Sequence, residues 1–268
     1  MDRAVKTMLE VKGLRKVYED ASRTIEAIRD VNFSVGQGEL VCIVGPSGAG
    51  KTTLLKCVAG LLAPTAGTIV LEGQAVTGPP PSMAVVFQEY GRSLFPWLTV
   101  HDNVALPLKQ KKMTADRREE LVRNALAAVD LKGVDDAYSW QLSGGMQQRV
   151  AIARAVAYEP HVLLMDEPFA AVDAQTRADL EDLIRVLWHR LRVTVLFVTH
   201  DIDESVYLGQ RVLVMSHAPT VIMEDVAIDL PEERTQLETR SMARFGELRK
   251  HIYSQIQLAK QGWRPPSP

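Results

Sequence analysis

The chain has 268 residues, of which 46% are hydrophobic and 24% charged, and its formal net charge is -2. This composition is that of a globular protein with one large domain or a core and a smaller insert, and the charge excludes an overall basic field for nucleic acid or an anionic membrane. The first residues, MDRAVKTMLEV, contain no apolar stretch, so we expect no secretory signal. No apolar run approaches the ~18 residues that span a bilayer. We expect no nucleic-acid partner, and any membrane crossing to be made by another polypeptide.

The first third of the chain is predicted to form short strands. EVKGLRKVY and AIRDVNFSV show mixed alternation, and GQGE is a turn signal between strands. The run LVCIVG at 40–45 is continuously apolar and ends in glycine, which is typical of a buried central strand. A helix is predicted from about Lys51 to Leu61, with GTIVLEG and MAVVFQ as further strands. We expect Cys42 and Cys57, both in apolar runs, to be buried reduced thiols.

From about residue 89 to 159 the pattern is helical. Thr99 and Asp102 form a capping-box pattern, and TADRREELVRNALAAVD has one apolar face opposite its charges. That face comprises Leu121, Val122, Ala125, Leu126 and Val129. The strands HVLLMD and VTVLFVTH then flank the helix DAQTRADLEDLIRVLWHRL, and a polar helical tail ends in GWRPPSP, which we expect to fray. This alternation predicts an α/β protein with a mostly parallel sheet and an inserted helical segment.

The segment GPSGAGKTT at 45–53 matches the phosphate-loop pattern G-x-x-x-x-G-K-[ST] and lies between a buried strand and a helix. Its glycines allow the backbone to wrap round a polyphosphate, toward which the amide N–H groups and the helix N-terminus direct positive potential. Lys51 is expected to reach the β- and γ-phosphates, and Thr52 to bind Mg²⁺. The predicted phosphate site comprises Gly45, Pro46, Ser47, Gly48, Ala49, Gly50, Lys51, Thr52 and Thr53. A glycine-rich structural turn is the alternative.

Polar residues follow the later strands. Asp166 and Glu167 end the apolar run in HVLLMDEP, where Asp166 can hold Mg²⁺ through water and Glu167 can polarise an attacking water. His200 ends VTVLFVTH, and Gln88 ends VVFQ. Parallel strands end at one edge, where open α/β sheets bind ligands, so we expect these side chains to face one site. The alternatives are an acidic helix cap for the carboxylates and a surface position for His200.

The stretch LSGGMQQRVAIARA at 142–155 opens a helical run with a serine and two glycines, although glycine is a poor helix former. LSGGMQQR resembles the signature of ABC transporters, and the chain resembles their ATP-binding subunit over nearly its whole length. The resemblance implies a head-to-tail homodimer with each ATP between the phosphate loop of one subunit and the signature of the other. Ser143, Gly144 and Gly145 would then contact the γ-phosphate, whereas Met146 stands where many members have glutamine. A flexible loop before a helix is the alternative.

The resemblance also assigns single residues. Tyr18 resembles the aromatic residue that stacks on adenine, and Gln88 the glutamine that senses Mg²⁺ and the γ-phosphate. Asp173 matches the loop that crosses the dimer interface, although Val172 stands where leucine is common. His200 matches the histidine that contacts the γ-phosphate and orients the catalytic water. The expected catalytic residues are therefore Glu167, His200 and Gln88, and the expected metal ligands are Thr52, Gln88 and Asp166.

The resemblance further implies an α/β, RecA-like P-loop NTPase fold with a mostly parallel sheet core, antiparallel β strands and an inserted helical subdomain. The expected nucleotide-binding core covers 1–88 and 160–235, the signature subdomain 89–159, and a C-terminal helical tail 236–268. The implied activity is ATP hydrolysis coupled to transport, with ATP and Mg²⁺. A soluble ABC ATPase without a transport role and a P-loop small-molecule kinase remain alternatives.

One apolar segment in EYGRSLFPWLTVHDNV suits a surface that receives a coupling helix of a membrane subunit. It comprises Leu94, Phe95, Pro96, Trp97 and Leu98. With the signature and the tail, it resembles the nitrate, sulfonate and taurine branch of bacterial importers, which implies a small anionic solute. Two integral membrane permease subunits near Phe95–Leu98 and, indirectly, a periplasmic or extracellular solute-binding protein are the implied partners. The implied location is the cytoplasmic face of the inner membrane, as a peripheral protein; a satellite hydrophobic cluster is the alternative for this segment.

Overall fold

A computed structural model describes residues 6–20, 23–88 and 93–261. The chain divides into two compact units: Met1–Pro80 with Arg192–Pro268 forms unit 1, and Pro81–Leu191 forms unit 2. The expected fraying of GWRPPSP and the start of the EYGRSLFPW segment fall on residues outside the described part.

The elements are numbered here along the chain. The strands are β1 (Thr7–Asp20), β2 (Arg23–Gly36), β3 (Leu40–Val44), β4 (Ala66–Leu71), β5 (Gln74–Ala75), β6 (Met83–Val86), β7 (Val162–Asp166), β8 (Thr194–Val198), β9 (Arg211–Met215) and β10 (Thr220–Ala227). The helices are α1 (Lys51–Val58), α2 (Val100–Ala105), α3 (Ala115–Ala128), α4 (Gly144–Ala157), α5 (Ala174–Leu191), α6 (Ile202–Leu208), α7 (Gln236–Ser241) and α8 (Ala243–Lys260). Short 3₁₀ turns cover Leu106–Gln110 and Ser139–Gln141.

The strands of unit 1 lie in the order β5-β4-β1-β2-β10-β9-β3-β8. The β1 strand pairs antiparallel with β2 and β4, whereas β3 pairs parallel with β8 and β9. Every residue of β3 is buried, as expected for an apolar strand in the interior of a parallel region, and it pairs with a strand on each side. The predicted central strand is therefore confirmed, and its carboxyl end leads directly into the glycine-rich loop.

Helix α1 is shorter than the sequence pattern predicts, because it ends at Val58 rather than Leu61. Gly60 adopts φ +67, and the N–H groups of Gly60 and Leu61 donate to the carbonyl oxygens of Cys57 and Lys56. This is the Schellman arrangement, in which a left-handed glycine ends a helix and satisfies its last carbonyls.

In unit 2, β6 and β7 pair parallel. Helix α4 packs against β6, α2 and α3, and the five residues of the predicted apolar face of α3 and its end are buried. Thr99 caps α2 by accepting a hydrogen bond from the N–H of Asp102 at 3.1 Å, as the capping-box pattern predicts. Across residues 6–20, 23–88 and 93–261, the structure contains no helix with the length and apolar character of a membrane span.

Candidate functional site

The phosphate loop of unit 1 connects β3 to α1. Gly48 and Gly50 adopt φ +78 and +73, a left-handed conformation that glycine reaches without steric penalty. The Nζ of Lys51 donates to the carbonyl oxygens of Gly45 and Pro46 at 3.1 and 3.3 Å, and this side chain is buried. Gly50 caps α1 with no side-chain hydrogen bond to its first turn. An ammonium beside helix N–H groups is a donor set that fits a polyphosphate.

Gly45 has a separate structural reason to be glycine. A Cβ at this position would lie 3.0 Å from the Cβ of Met215 and 3.1 Å from its carbonyl oxygen. Such distances are tighter than ordinary van der Waals contact, so any larger residue would press on the end of β9. The close packing of the loop against β9 therefore favours glycine at this position independently of any ligand.

Tyr18 and His200 lie in the same unit as the phosphate loop. The Tyr18 ring is 41% exposed, and its hydroxyl lies 3.2 Å from the Oγ1 of Thr53 in α1. His200 is exposed and follows β8, where the N–H of Thr199 donates to the carbonyl oxygen of Ile43 at 3.1 Å. Since β3 and β8 are parallel neighbours, His200 and the start of the phosphate loop lie at the same edge of the sheet.

Gln88 and the paired carboxylates lie at one sheet edge in unit 2. Val86 of β6 pairs with Met165 of β7, so the residues that follow both strands emerge at the same level. Asp166 is 4% exposed at the end of β7, Glu167 is half-buried, and Gln88 is exposed. The structure therefore brings these three residues to a common edge.

Glu167 has an unusual backbone conformation, with φ +44. Positive φ also occurs at Glu72, Asp130, Glu159 and Arg192, but these follow a helix or lie in a hairpin turn, where such residues are common. Glu167 instead directly follows the buried strand β7. A non-glycine residue held in this region costs on the order of 1–3 kcal/mol, and such strain concentrates at functional positions.

The signature forms the first turn of α4. Ser143 is the N-cap, and its Oγ accepts from the N–H of Met146 at 3.3 Å. Ser143 and Gly144 are exposed, whereas Gly145 is half-buried. An exposed helix N-terminus that begins with small residues can present backbone N–H groups to an anion.

Asp173 lies directly before α5 and is exposed. Its Oδ1 accepts from the N–H of Thr176 at 3.0 Å, and its Oδ2 accepts from the Thr176 hydroxyl at 2.7 Å. These hydrogen bonds hold the pKa of Asp173 below its usual value, and the bond from the backbone N–H contributes most. Both bonds favour the ionised carboxylate.

The apolar segment after Gln88 is only partly exposed. Leu94 is buried, so it does not belong to an exposed patch, whereas Phe95 and Trp97 are exposed. The ring centroids of Phe95 and Trp97 are 5.3 Å apart. The exposed part of the predicted docking segment therefore consists chiefly of one aromatic pair.

A second exposed aromatic pair lies just before the signature in the sequence, and sequence reasoning missed it. The rings of Tyr138 and Trp140 stack with centroids 6.0 Å apart, and both are exposed. A β-bridge between Thr99 and Tyr138 joins this segment to the first pair's loop. The sequence YSWQLSGG carries both rings next to the signature, but no periodicity there indicates which segment they contact.

Asn103 is a further residue that sequence reasoning missed. It is buried on α2, where its Nδ2 donates to the carbonyl oxygens of Phe95, Leu98 and Thr99 at 3.0–3.1 Å. Its Oδ1 accepts from the N–H of Phe95 at 2.8 Å. The signal that could have revealed it is a lone amide among the apolar residues of NVAL.

Within 6–20, 23–88 and 93–261, no group of three or more His, Cys, Asp or Glu side chains could hold a metal ion. Mg²⁺ bound with a nucleotide takes one or two protein oxygen ligands besides phosphates and water. Within unit 1, the hydroxyl of Thr52 at the start of α1 is an oxygen ligand of this kind. Within unit 2, the carboxylate of Asp166 at the end of β7 is another.

Comparison with known proteins agrees with these features. The sequence profile of the ABC transporter family matches residues 28–170. The chain is 43% identical over 245 residues to the nitrate import ATP-binding protein NrtD of Synechocystis, covering 91% of each chain. It is 40% identical over 250 residues to the aliphatic sulfonates import ATP-binding protein SsuB of Bacillus cereus, covering 93% of this chain and 96% of that one.

Among solved structures, the chain resembles a dimeric post-hydrolysis state of an ATP-binding cassette bound to ADP and Pi. The TM-score is 0.73 at 31% sequence identity, and the match covers 82% of this chain and 99% of that one. The phosphate loop, the signature at the start of α4 and the strand-end carboxylates are thus found in a chain with the architecture of a known ATPase. The chain belongs to the ABC transporter family and is an ATP-binding, ATP-hydrolysing subunit of that family.

Proposed function

We propose that this subunit powers an importer for a small anionic solute and acts as a head-to-tail homodimer on separate membrane subunits. The observation that carries the proposal is the exposed signature, with Ser143 and Gly144 at the N-terminus of α4 and available to a second subunit. The relatives named for nitrate and aliphatic sulfonates import support an anionic solute. Such a subunit would lie at the cytoplasmic face of the membrane, with a solute-binding protein delivering the solute.

The local geometry supports the proposed nucleotide-binding roles. Lys51 and the N–H groups at the start of α1 bind the β- and γ-phosphates, and Tyr18 stacks on adenine. Thr52, Gln88 and Asp166 are the proposed ligands of Mg²⁺, which neutralises charge on the phosphate oxygens. In this proposal, the whole loop at 45–53 contacts the nucleotide.

The hydrolytic roles belong to residues at the strand ends. Glu167 accepts a proton from the attacking water, and His200 orients that water and contacts the γ-phosphate. The partner's signature stabilises the same phosphate through its N–H groups and serine hydroxyl, while Asp173 crosses the interface. Attack on the γ-phosphate breaks its bond to the β-phosphate oxygen and releases ADP and inorganic phosphate.

ATP binding drives closure because the nucleotide contacts both subunits only in the closed dimer. A ligand shifts a conformational equilibrium by its difference in affinity for the two states, so ATP favours closure and hydrolysis restores opening. In the proposal, this cycle moves the membrane subunits through the segment Phe95–Leu98, whose exposed residues are Phe95, Pro96 and Trp97.

The docking proposal is tested by Trp97→Ala, which removes an exposed ring. The tagged chain, expressed in its native cells, is purified from detergent-solubilised membranes, and we expect a multi-spanning membrane protein to co-purify with it. Because buried aromatic residues dominate interfaces, the variant should bind that protein ~30-fold more weakly, the equivalent of about 2 kcal/mol.

Leu237→Ala is the matched control, because Leu237 is also exposed but lies on α7 in unit 1. This control should co-purify as the wild type does. If no membrane protein accompanies the wild-type chain, the transport role is wrong. Equal co-purification by Trp97→Ala would instead place the docking surface elsewhere.

A further inference from the structure

The second glycine of the signature packs against a neighbouring helix in its own subunit. Gly145 lies in the first turn of α4, and a Cβ added there would be 2.5 Å from the Cγ2 of Thr176 in α5. The next nearest atoms, the Cβ and Oγ1 of Thr176, would both be 3.8 Å away. A Cβ at position 145 could therefore be accommodated only if the Thr176 side chain or one of the two helices shifted.

The same threonine also holds Asp173. Its N–H and its hydroxyl donate to the two carboxylate oxygens of Asp173, at 3.0 and 2.7 Å. These bonds lower the pKa of Asp173, so the carboxylate is ionised at neutral pH. Asp173 is exposed, whereas Thr176 is half-buried. The threonine therefore holds the exposed carboxylate by hydrogen bonds from the protein side.

We propose that Thr176 is a positioning residue that joins the signature helix α4 to the Asp173 loop, so that both segments meet the second subunit as one rigid piece. The inference rests on the proposed function, in which Ser143–Gly145 and Asp173 both face the partner's nucleotide. It adds a reason for Gly145 that lies within the subunit rather than at the phosphate.

The two contacts depend on each other because they are made by the two branches of one side chain. Threonine is stiff at χ1, since two heavy atoms are attached to its Cβ. The hydroxyl branch is directed by Asp173 and the methyl branch then contacts Gly145. Rotating the side chain to relieve a clash at Gly145 would break the hydrogen bond to Asp173.

The methyl contact is tested by a double-mutant cycle of Gly145→Ala with Thr176→Ser. In the wild-type background, Gly145→Ala should lower kcat for ATP hydrolysis about tenfold, the equivalent of ~1.4 kcal/mol, because the helices must separate. In the Thr176→Ser background, the remaining atoms would be at ordinary contact distance, so Gly145→Ala should lower kcat by less than about twofold. Equal losses in the two backgrounds would overturn the inference, because the glycine would then be required by the nucleotide.

The hydroxyl contact is tested by Thr176→Val, which keeps the branched shape and the methyl group. We expect kcat to fall about tenfold while the affinity of the isolated subunit for ATP, measured by equilibrium dialysis, stays unchanged. Thr176→Ser, which keeps the hydroxyl, should retain turnover closer to that of the wild type. Wild-type turnover in Thr176→Val would show that Asp173 does not need this support.

Gly246→Ala in α8 is the matched control, because a Cβ there would meet nothing within 4 Å. It should leave kcat unchanged.

ATP-driven dimerisation of the wild type, measured by light scattering, distinguishes failure of the proposed function from failure of the inference about Thr176. If the wild type does not dimerise, the proposed function fails, and the melting temperatures of the same cycle still test the contact of Gly145 with Thr176. If the wild type dimerises and the double variant is as impaired as Gly145→Ala, the inference about Thr176 is wrong.

Discussion

At the scale of single residues, Glu167 combines a carboxylate at a strand end with a strained backbone. Its φ of +44 directly after the buried strand β7 is held by the surrounding structure, since neither a helix end nor a hairpin turn accounts for it. Such strain is tolerated where the direction of a side chain matters more than local stability. In the proposed mechanism, Glu167 is the group that meets the attacking water, and its unusual backbone conformation supports this proposal.

Glu167→Gln should lower kcat for ATP hydrolysis by about 10²- to 10⁴-fold, the usual contribution of a general base. Glutamine keeps the shape of the side chain but cannot accept the proton, so ATP binding should persist. Turnover is measured by phosphate release and binding by equilibrium dialysis. Glu159→Gln is the matched control, because Glu159 also has positive φ and lies on the surface. Unchanged turnover in Glu167→Gln would remove this residue from the mechanism.

At the scale of elements, the loop that carries Phe95 and Trp97 is held in place by one side chain of α2. Asn103 is buried and bonds to the backbone of that loop at both ends. A buried amide that satisfies several backbone groups fixes a loop with more precision than apolar packing does. The position of the exposed rings of Phe95 and Trp97 therefore depends on the buried residue Asn103.

Asn103→Ala should lower the free energy of unfolding of the chain by about 2–3 kcal/mol, because the N–H of Phe95 loses the Oδ1 acceptor and the carbonyl oxygen of Leu98 loses the Nδ2 donor. Urea denaturation measures this loss, and hydrogen exchange at residues 95–99 should become faster. Asn124→Ala on α3 is the control, since Asn124 is exposed and its replacement should change stability by no more than ~0.5 kcal/mol. Equal stability of the two variants would show that Asn103 does not hold the loop.

At the scale of the whole molecule, the proposed dimer uses surfaces that one subunit leaves exposed. Ser143 and Gly144 lie open at the start of α4, and Asp173 lies open before α5. Small side chains and an exposed helix N-terminus allow another molecule's phosphate to approach the backbone. In the proposed dimer, these exposed groups contact the nucleotide that the second subunit holds.

Ser143→Arg should prevent ATP-driven dimerisation, because a long side chain would fill the space where the partner's γ-phosphate must approach. Gel filtration of the Glu167→Gln background with and without ATP measures this effect. Ser254→Arg on α8 introduces the same side chain at another exposed serine and should dimerise normally. ATP-dependent dimers of the Ser143→Arg variant would contradict the head-to-tail arrangement.

The sequence by itself determined the phosphate loop, the strand-end carboxylates and the signature, because each is a local pattern. The residues that define the phosphate-loop pattern, such as Gly48, Gly50 and Lys51, lie close together along the chain. Their order in the sequence is therefore sufficient to predict the loop. The apolar face of α3 was likewise predictable, because helical periodicity alone defines it. The family followed from these local patterns together.

The tertiary structure alone decided contacts between segments distant in the sequence. It showed that a Cβ at position 45 would press on Met215, and that a Cβ at position 145 would meet the Thr176 methyl group. It also showed that Leu94 is buried whereas Trp97 is exposed, and that Tyr138 lies beside Thr99. No local pattern contains this information, because close packing depends on which helix or strand the folded chain brings alongside.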